Sequence, residues 1–321
     1  MLKSKNSAAA VLAAFALAAG AIRARADLMG DARAAYEAGH EAEAVKLLTQ
    51  AADQGDAKAQ FRLGLLYEHG RGVPLDEKKA AEWYEKAASQ GNSKAANNLG
   101  TLYRLGHGVP RSDALAFKWY LKASQSNQGE KPSSGRENAR DEAAVWTNLG
   151  AMYHWGRGTA KNDAKARAAY QKAAELGNPY AQNNFAYMLE RGLGGPKDAA
   201  QAADWYRKAA DQGFQVAQGN LGLIYANGRG VARDADEAAA WSKKAALQGN
   251  AHAQYRLGRA CERGRGETKD LVEAYKWYLL SSAGGDRRAA HALDRLKLVL
   301  TPAQRDDAGK RAAALKAAPH D

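Results

Sequence analysis

Six stretches of this chain are versions of one another. Each has a Leu-Gly or Phe-Ala pair, usually a Tyr three residues on, then Gly-x-Gly, an Asp-type residue and Trp-Tyr. The anchors fall at Gly64, Gly100, Gly150, Ala186, Gly222 and Gly258, in steps of 36, 50, 36, 36 and 36. A repeat of this length marks a helical solenoid, in which no unit can bury its apolar face without a neighbour. Function is therefore expected on a surface and not in a catalytic pocket.

The residues of one unit predict how it is built. Ala59, Leu63 and Tyr67 recur at four-residue intervals and define one helix face directed at a core. Gly64 has no side chain, so a second helix can approach there. Gly70 and Gly72 then stop the first helix, because Gly takes the left-handed conformation that helix C-termini often need. The second helix is predicted to start near Asp76. The equivalent positions hold Ser112, Asn162, Asp198, Asp234 and Asp270, all able to accept a hydrogen bond from a free N-terminal amide.

The second helix carries the aromatic load, at Trp83-Tyr84, Trp119-Tyr120, Trp205-Tyr206 and Trp277-Tyr278, where Ala169-Tyr170 and Trp241-Ser242 also fall. Such rings in register on consecutive helices are read as packing between units, not as a platform for sugars.

These residues resemble the Sel-1-like repeat, a relative of the tetratricopeptide repeat. The pattern Ala-x-Ala-Gln-x-x-Leu-Gly-x-x-Tyr, Gly-x-Gly-Val, Asp, then Trp-Tyr-x-Lys-Ala-Ala-x-x-Gly is nearly intact across residues 57–91. The resemblance covers about residues 56 to 285 and implies an all-α, right-handed α/α solenoid of helical hairpins. It also implies an adaptor or scaffold for protein complexes, of a kind that in bacteria is often exported and acts in envelope assembly, signalling or host contact.

The expected organisation is a signal peptide over 1–26, a shorter tetratricopeptide-like capping hairpin over 27–55, six repeats, and capping helices over 286–321. The repeats span 56–91, 92–141, 142–177, 178–213, 214–249 and 250–285. Residues 128–141 of the second unit, with Gly129, Pro132, Ser133, Ser134 and Gly135, read as an inserted surface loop. Tyr36, Val45, Leu47 and Leu48 offer packing in the first hairpin. Leu293, Leu296 and Leu300 do so at the other end, where Thr301 before Pro302 fits an N-cap.

Lys3 and Lys5 precede an apolar run of 15 residues from Ala8 to Ile22, and Ala24-Arg25-Ala26 offers small residues for cleavage before Asp27. The expectation is a periplasmic or secreted chain with no lipidated Cys and, once cleaved, no stable membrane span, since a span needs ~20 apolar residues. Cys261 is the one cysteine, so the fold stands without an internal disulfide. It occupies the position of Tyr67, Tyr103, Tyr153 and Tyr225, which predicts a buried thiol. Net charge is +12, or +8 without residues 1–26, and favours anionic neighbours such as acidic proteins, envelope polymers or lipid head groups.

The candidate binding residues lie on the first helices. One column reads Arg62, Asn98, Asn148, Asn184, Asn220 and Arg256; flanking columns add Asn97, Asn183 and Tyr255 on one side, Tyr187 and Arg259 on the other. An Asn offers a donor and an acceptor, the pair that grips an extended peptide backbone. Arg at the ends suits a carboxylate. The resemblance implies that this column lines a concave groove. A second reading leaves the Asn ladder to fix the stacking of repeats, and the two are compatible.

No catalytic, metal or cofactor site is expected. The seven histidines, His40, His69, His107, His154, His252, His291 and His320, show no metal-ligand spacing, and there is no Gly-x-Ser-x-Gly, phosphate loop or Ser-x-x-Lys. The leading expectation is an exported adaptor for a protein or peptide partner. A peptidoglycan- or polysaccharide-associated protein is the alternative. A β-lactamase-like or cell-wall hydrolase comes third, by family analogy alone, because the relatives linked to β-lactams carry paired cysteines in each unit. Export argues against a nucleic-acid partner despite a pI near 9.6.

Overall fold

The computed structural model describes residues 28–126 and 136–317. The expected signal peptide and residues 128–135 of the expected insertion lie outside them. Among the described residues the regular structure is helical throughout, and the chain divides into two compact units that meet in sequence at Lys161 and Asn162.

The first unit holds α1 (residues 28–37), α2 (Glu41–Asp53), α3 (Ala57–His69), α4 (Glu77–Ser89), α5 (Ser93–Leu105), α6 (Asp113–Ser126) and α7 (Arg136–Trp155). The second holds α8 (Asp163–Glu175), α9 (Pro179–Arg191), α10 (Ala199–Asp211), α11 (Gln215–Asn227), α12 (Ala235–Leu247), α13 (Ala251–Arg263), α14 (Leu271–Ala283), α15 (Arg287–Lys297) and α16 (Pro302–Ala317). From α2 to α7 in the first unit and from α8 to α14 in the second each helix packs on the next, so α3, α5, α9, α11 and α13 are each held between the second helix of their own hairpin and that of the hairpin before.

The boundaries follow from local chemistry. Asp76, Asn162, Asp198, Asp234 and Asp270 each accept a backbone N–H from the first turn of a second helix, and Ser112 Oγ accepts from Leu115 at 3.2 Å. Capping of this kind contributes about 1 kcal/mol per helix. A second column of caps opens the first helices: Asp56, Asn92, Asn178, Asn250 and Asp286 cap in the same way, whereas Phe214 makes no side-chain cap. The first helices end on a left-handed Gly, as at Gly70 with φ of 64°. The second Gly of each pair answers a different demand, since a Cβ on Gly266 would strike the backbone of Ala235 in the hairpin before.

The core is made of small residues and buried aromatic rings. Ala80, Ala87, Ala88, Ala202 and Ala209 are completely buried, which lets neighbouring helices approach closely. Tyr84, Tyr120, Tyr206 and Tyr278 are buried beneath them. Trp119, Trp241 and Trp277 are buried as expected, while Trp83 and Trp205 are half-buried under Lys86 and Lys208, whose ammonium groups sit 3.8 and 3.7 Å from the ring centres.

Two expectations need correction. Residues 136–141, assigned to the inserted loop, are the first turns of α7. The run Arg136-Glu137-Asn138-Ala139-Arg140-Asp141 holds neither Gly nor Pro and is rich in helix formers, and Asp141 meets Lys94 of α5 at 2.7 Å. Tyr36, expected to pack in the first hairpin, is 42% exposed, and it is Leu48 that fills that core. Helix α1 is a single short face, and Ala32 and Ala35 are the residues it buries.

At the other end Leu293, Leu296 and Leu300 are buried, and α15 and α16 both cover α14. Thr301 Oγ1 accepts from Gln304 N at 3.3 Å, and Gln304 Oε1 returns to Thr301 N at 2.9 Å, a reciprocal cap at the start of α16.

Candidate partner-binding face

The column Arg62, Asn98, Asn148, Asn184, Asn220 and Arg256 recurs on successive first helices because each lies one residue before a buried Leu or Phe. That offset points it away from the core, at the edge where consecutive first helices adjoin. In the first unit Arg62 is exposed and lines a cavity of 440 Å³ with Tyr36, Leu65 and Arg71. Asn98 Nδ2 donates to Tyr84 Oη at 3.3 Å, and Asn148 Nδ2 donates to Asn97 Oδ1 at 3.1 Å.

The second unit repeats this backward reach. Asn220 Nδ2 donates to Asn183 Oδ1 at 3.0 Å, and one of the terminal nitrogens of Arg256 donates to the Gly219 carbonyl at 2.8 Å. Asn183 is therefore buried, at 7% exposure, and is a rung of the ladder instead of the free flank expected of it. Burial, then the nearby charge of Arg288, pull the Arg256 guanidinium down to about 10.

Two polar groups of the column are left over. Asn184 Nδ2 and Arg256 Nε are buried without a hydrogen-bond partner. A buried donor left unpaired costs about 1–3 kcal/mol, so a ligand acceptor at this face would recover that cost. Beside them Tyr187 is 41% exposed and Arg259 is exposed, with Arg259 5.9 Å from the ring of the half-buried Tyr255.

Two further columns carry the stacking and were missed in the sequence. Gln60, Gln182, Gln218 and Gln254 are buried, and each Nε2 donates to a carbonyl of the preceding hairpin, at Ala52, Ala174, Ala210 and Ala246 respectively. Gln90, Gln212 and Gln248 donate to the side-chain oxygens of Gln60, Gln182 and Gln218 at 2.7 to 2.9 Å. The signal was present as a Gln four residues before the anchor Gly or Ala and another at the end of the second helix.

Among the described residues there is no group of three or more His, Cys, Asp or Glu able to hold a metal, and no helix long and apolar enough to cross a membrane. Cys261 is buried, and burial pushes its thiol up to about 11.

Stacked two-helix hairpins with a laddered first-helix face define a helical-repeat solenoid protein. The chain belongs to the Sel1 repeat family, whose model matches residues 32–56, 57–92, 93–128, 147–178, 179–214, 215–250 and 251–286. The first match falls on the hairpin expected as a tetratricopeptide-like cap.

A protective antigen of uropathogenic Escherichia coli displaying an SLR fold is 33% identical, with a TM-score of 0.72 over 85% of this chain. This chain spans 57% of that protein's length. A Sel1 repeat protein from Oxalobacter formigenes is 31% identical, with a TM-score of 0.66 over 79% of this chain and 96% of its own. Pseudomonas aeruginosa PilF, at 21% identity and a TM-score of 0.51 over 75% of this chain and 99% of its own, shares the fold. No curated protein matches. Sel1 repeat proteins generally act in protein–protein interactions and are generally not enzymes.

Proposed function

We propose that this chain is an exported adaptor that holds a protein partner in the cell envelope, on the concave face formed by the first helices of each unit. The observation that carries the reading is the division of labour along that face. Asn148, Asn220 and Arg256 are spent on stacking. Arg62, Tyr187 and Arg259 stay exposed, and the Asn184 amide keeps a buried donor free. Tyr and Arg are the residue types in which binding energy concentrates.

Arg62→Glu and Arg259→Glu test the face directly, because neither side chain bonds to the core. Both variants are expected to keep the thermal midpoint and to lose capture of the partner crosslinked to the wild-type chain in cells. Unchanged capture counts against this face. Export is tested separately by fusing residues 1–30 to a phosphatase active only outside the cytoplasm; an inactive fusion removes the envelope from the reading.

A further inference from the structure

Five of the six repeats carry a Tyr in the second position of the Trp-Tyr pair. In three of them its hydroxyl donates to a Glu one turn beyond the anchor: Tyr84 to Glu68 at 2.5 Å, Tyr206 to Glu190 at 3.2 Å and Tyr278 to Glu262 at 2.7 Å. The repeat anchored at Gly222 breaks both halves of this pair. Ser242 stands where the others have Tyr, and Ala226 stands where those three have Glu.

The joint loss of a ring and its carboxylate leaves a hole. A cavity of 520 Å³ opens between α11, α12 and α13, with Ala226 and Ser242 in its wall. Leu223, Ala238, Ala239 and Ala260 give it an apolar floor. Its described lining contains no carboxylate but does contain Arg233, Arg256, Arg259, Arg263, Arg265 and Arg288.

Among the described residues none of the first five of these arginines forms an ion pair. Arg288 alone is neutralised, by Asp286. Elsewhere in this unit the equivalent space is charge-balanced: Glu190 pairs with Arg229, and Glu262 meets Arg295 at 2.6 Å. Guanidinium groups gathered over apolar walls repel one another more strongly than in water. Arg256 sits in this wall with its Nε unpartnered, and the positive charge gathered there is uncompensated. An incoming anion would relieve it.

We propose that this cavity receives an acidic segment of the partner protein, its carboxylates bound by Arg259 and Arg263 and a small apolar side chain seated where the Tyr ring is missing. Planar guanidinium groups pair with carboxylates through two parallel hydrogen bonds. The apolar floor favours a peptide over a free inorganic polyanion, which would leave that surface unused. The inference rests on the adaptor reading above and specifies its partner.

The test uses the chain from Asp27 and a fluorescent peptide of alternating Glu and Leu, with the Gln-for-Glu peptide as control. Restoring the missing pair with A226E/S242Y fills the cavity and returns a carboxylate to it, and Gly222 is already in place to admit the ring. This variant is expected to keep or raise the thermal midpoint while binding the Glu peptide about tenfold more weakly or worse. R259E/R263E should weaken it likewise, and the wild type should prefer Glu over Gln by a similar factor.

Equal binding by the wild type and A226E/S242Y overturns the proposal. So does displacement of the peptide by citrate or pyrophosphate as effective as that by unlabelled peptide, which would mark a small-anion site. A third overturning result is loss of peptidoglycan sedimentation in A226E/S242Y with peptide binding intact, which would assign the cavity to an envelope polymer. If A226E/S242Y captures the cellular partner normally while Arg62→Glu does not, the cavity falls and the adaptor stands. If the peptide binds as expected but no cellular partner is captured by any form, the adaptor falls and the cavity stands.

Discussion

The ring of Tyr84 fills the space that a side chain on Gly64 would need: a Cβ there would stand 2.6 Å from both Cδ1 and Cε1 of the ring. Gly100 with Tyr120 and Gly258 with Tyr278 repeat the relationship at 2.8 Å. Gly64→Ala must therefore push a fully buried Tyr off its seat. Overpacking of this kind costs about 1–3 kcal/mol, and urea unfolding should show a loss in that range. In the repeat anchored at Ala186, that residue and Tyr206 are both buried, so a Cβ is accommodated at this position there. A loss near zero at position 64 would mean that the first unit can make the same adjustment.

Gln182 holds two hairpins together. Its Nε2 donates to the Ala174 carbonyl at 3.2 Å while its Oε1 accepts from Gln212 at 2.7 Å, all at 4% exposure. Gln182→Ala removes both bonds, but the Ala174 carbonyl keeps its bond from Gly177 N and the exposed Gln212 keeps that to the Lys208 carbonyl, so the cost is about 0.5–1.5 kcal/mol per lost bond. Hydrogen exchange should report it as faster opening of α9 and α10. The double variant with Gln212→Ala should cost less than the two single changes added, because the bond between the two side chains is lost only once.

What could be read from the sequence, and what could not, follows the range of each interaction. The caps at Asp76, Asp198 and Asp270 are decided within three residues, so their identity and spacing alone place the helix starts. The spacing of Gly64 from Tyr84 also repeats, which made the close approach legible. The Gln ladder was hidden because Gln60 and Gln90 meet only after two hairpins stack, and an isolated Gln on a helix looks like a solvated side chain. Asn183 was misplaced for the same reason: its partner Asn220 belongs to the next repeat. The arginine cavity was out of reach because it is defined by departures from a pattern, Ser242 and Ala226, and by arginines from two helices and two turns.

Asp286 supplies a pH signature. Its carboxyl, 2% exposed, accepts from Arg288 and lies 2.8 Å from His252 Nδ1, and these bonds, Arg288 first, hold it well below its ordinary value of 3.8. A carboxyl whose affinity for protons falls on folding stabilises the fold at all pH above its unfolded value. That contribution is lost as the pH drops below about 4 toward the folded value. Asp286→Asn keeps a capping oxygen for α15 but removes the charge. It should lower stability by roughly 1–3 kcal/mol near neutrality, and the gap from wild type should close in acid titrations of the unfolding midpoint. A gap independent of pH would show that the amide loses packing and not charge.

Cys261 reports on the integrity of the sixth repeat. With the thiol raised to about 11 by burial, the thiolate that attacks a disulfide reagent is scarce at pH 8, and the residue is 3% exposed. Labelling with an aromatic disulfide should be slow in native buffer and complete within the unfolding time in denaturant. Fast native labelling would mean that α13 and α14 open locally.

Phe214 offers a case where two magnitudes nearly cancel. It occupies the cap position that Asn178 and Asn250 fill with a side-chain hydrogen bond, and it makes none. Restoring the cap with Phe214→Asn should stabilise α11 by about 1 kcal/mol. Against this, Phe214 meets the ring of Tyr180 edge to face, with centroids 6.1 Å apart, a contact that contributes about 0.5–1.5 kcal/mol. The single substitution should therefore leave the thermal midpoint nearly unchanged. In a Tyr180→Ala background the ring contact is already gone, so Phe214→Asn should show the gain from the cap alone. A double-mutant cycle that finds the same effect in both backgrounds would show that the two rings do not support each other, and that α11 starts where it does for reasons other than its missing cap.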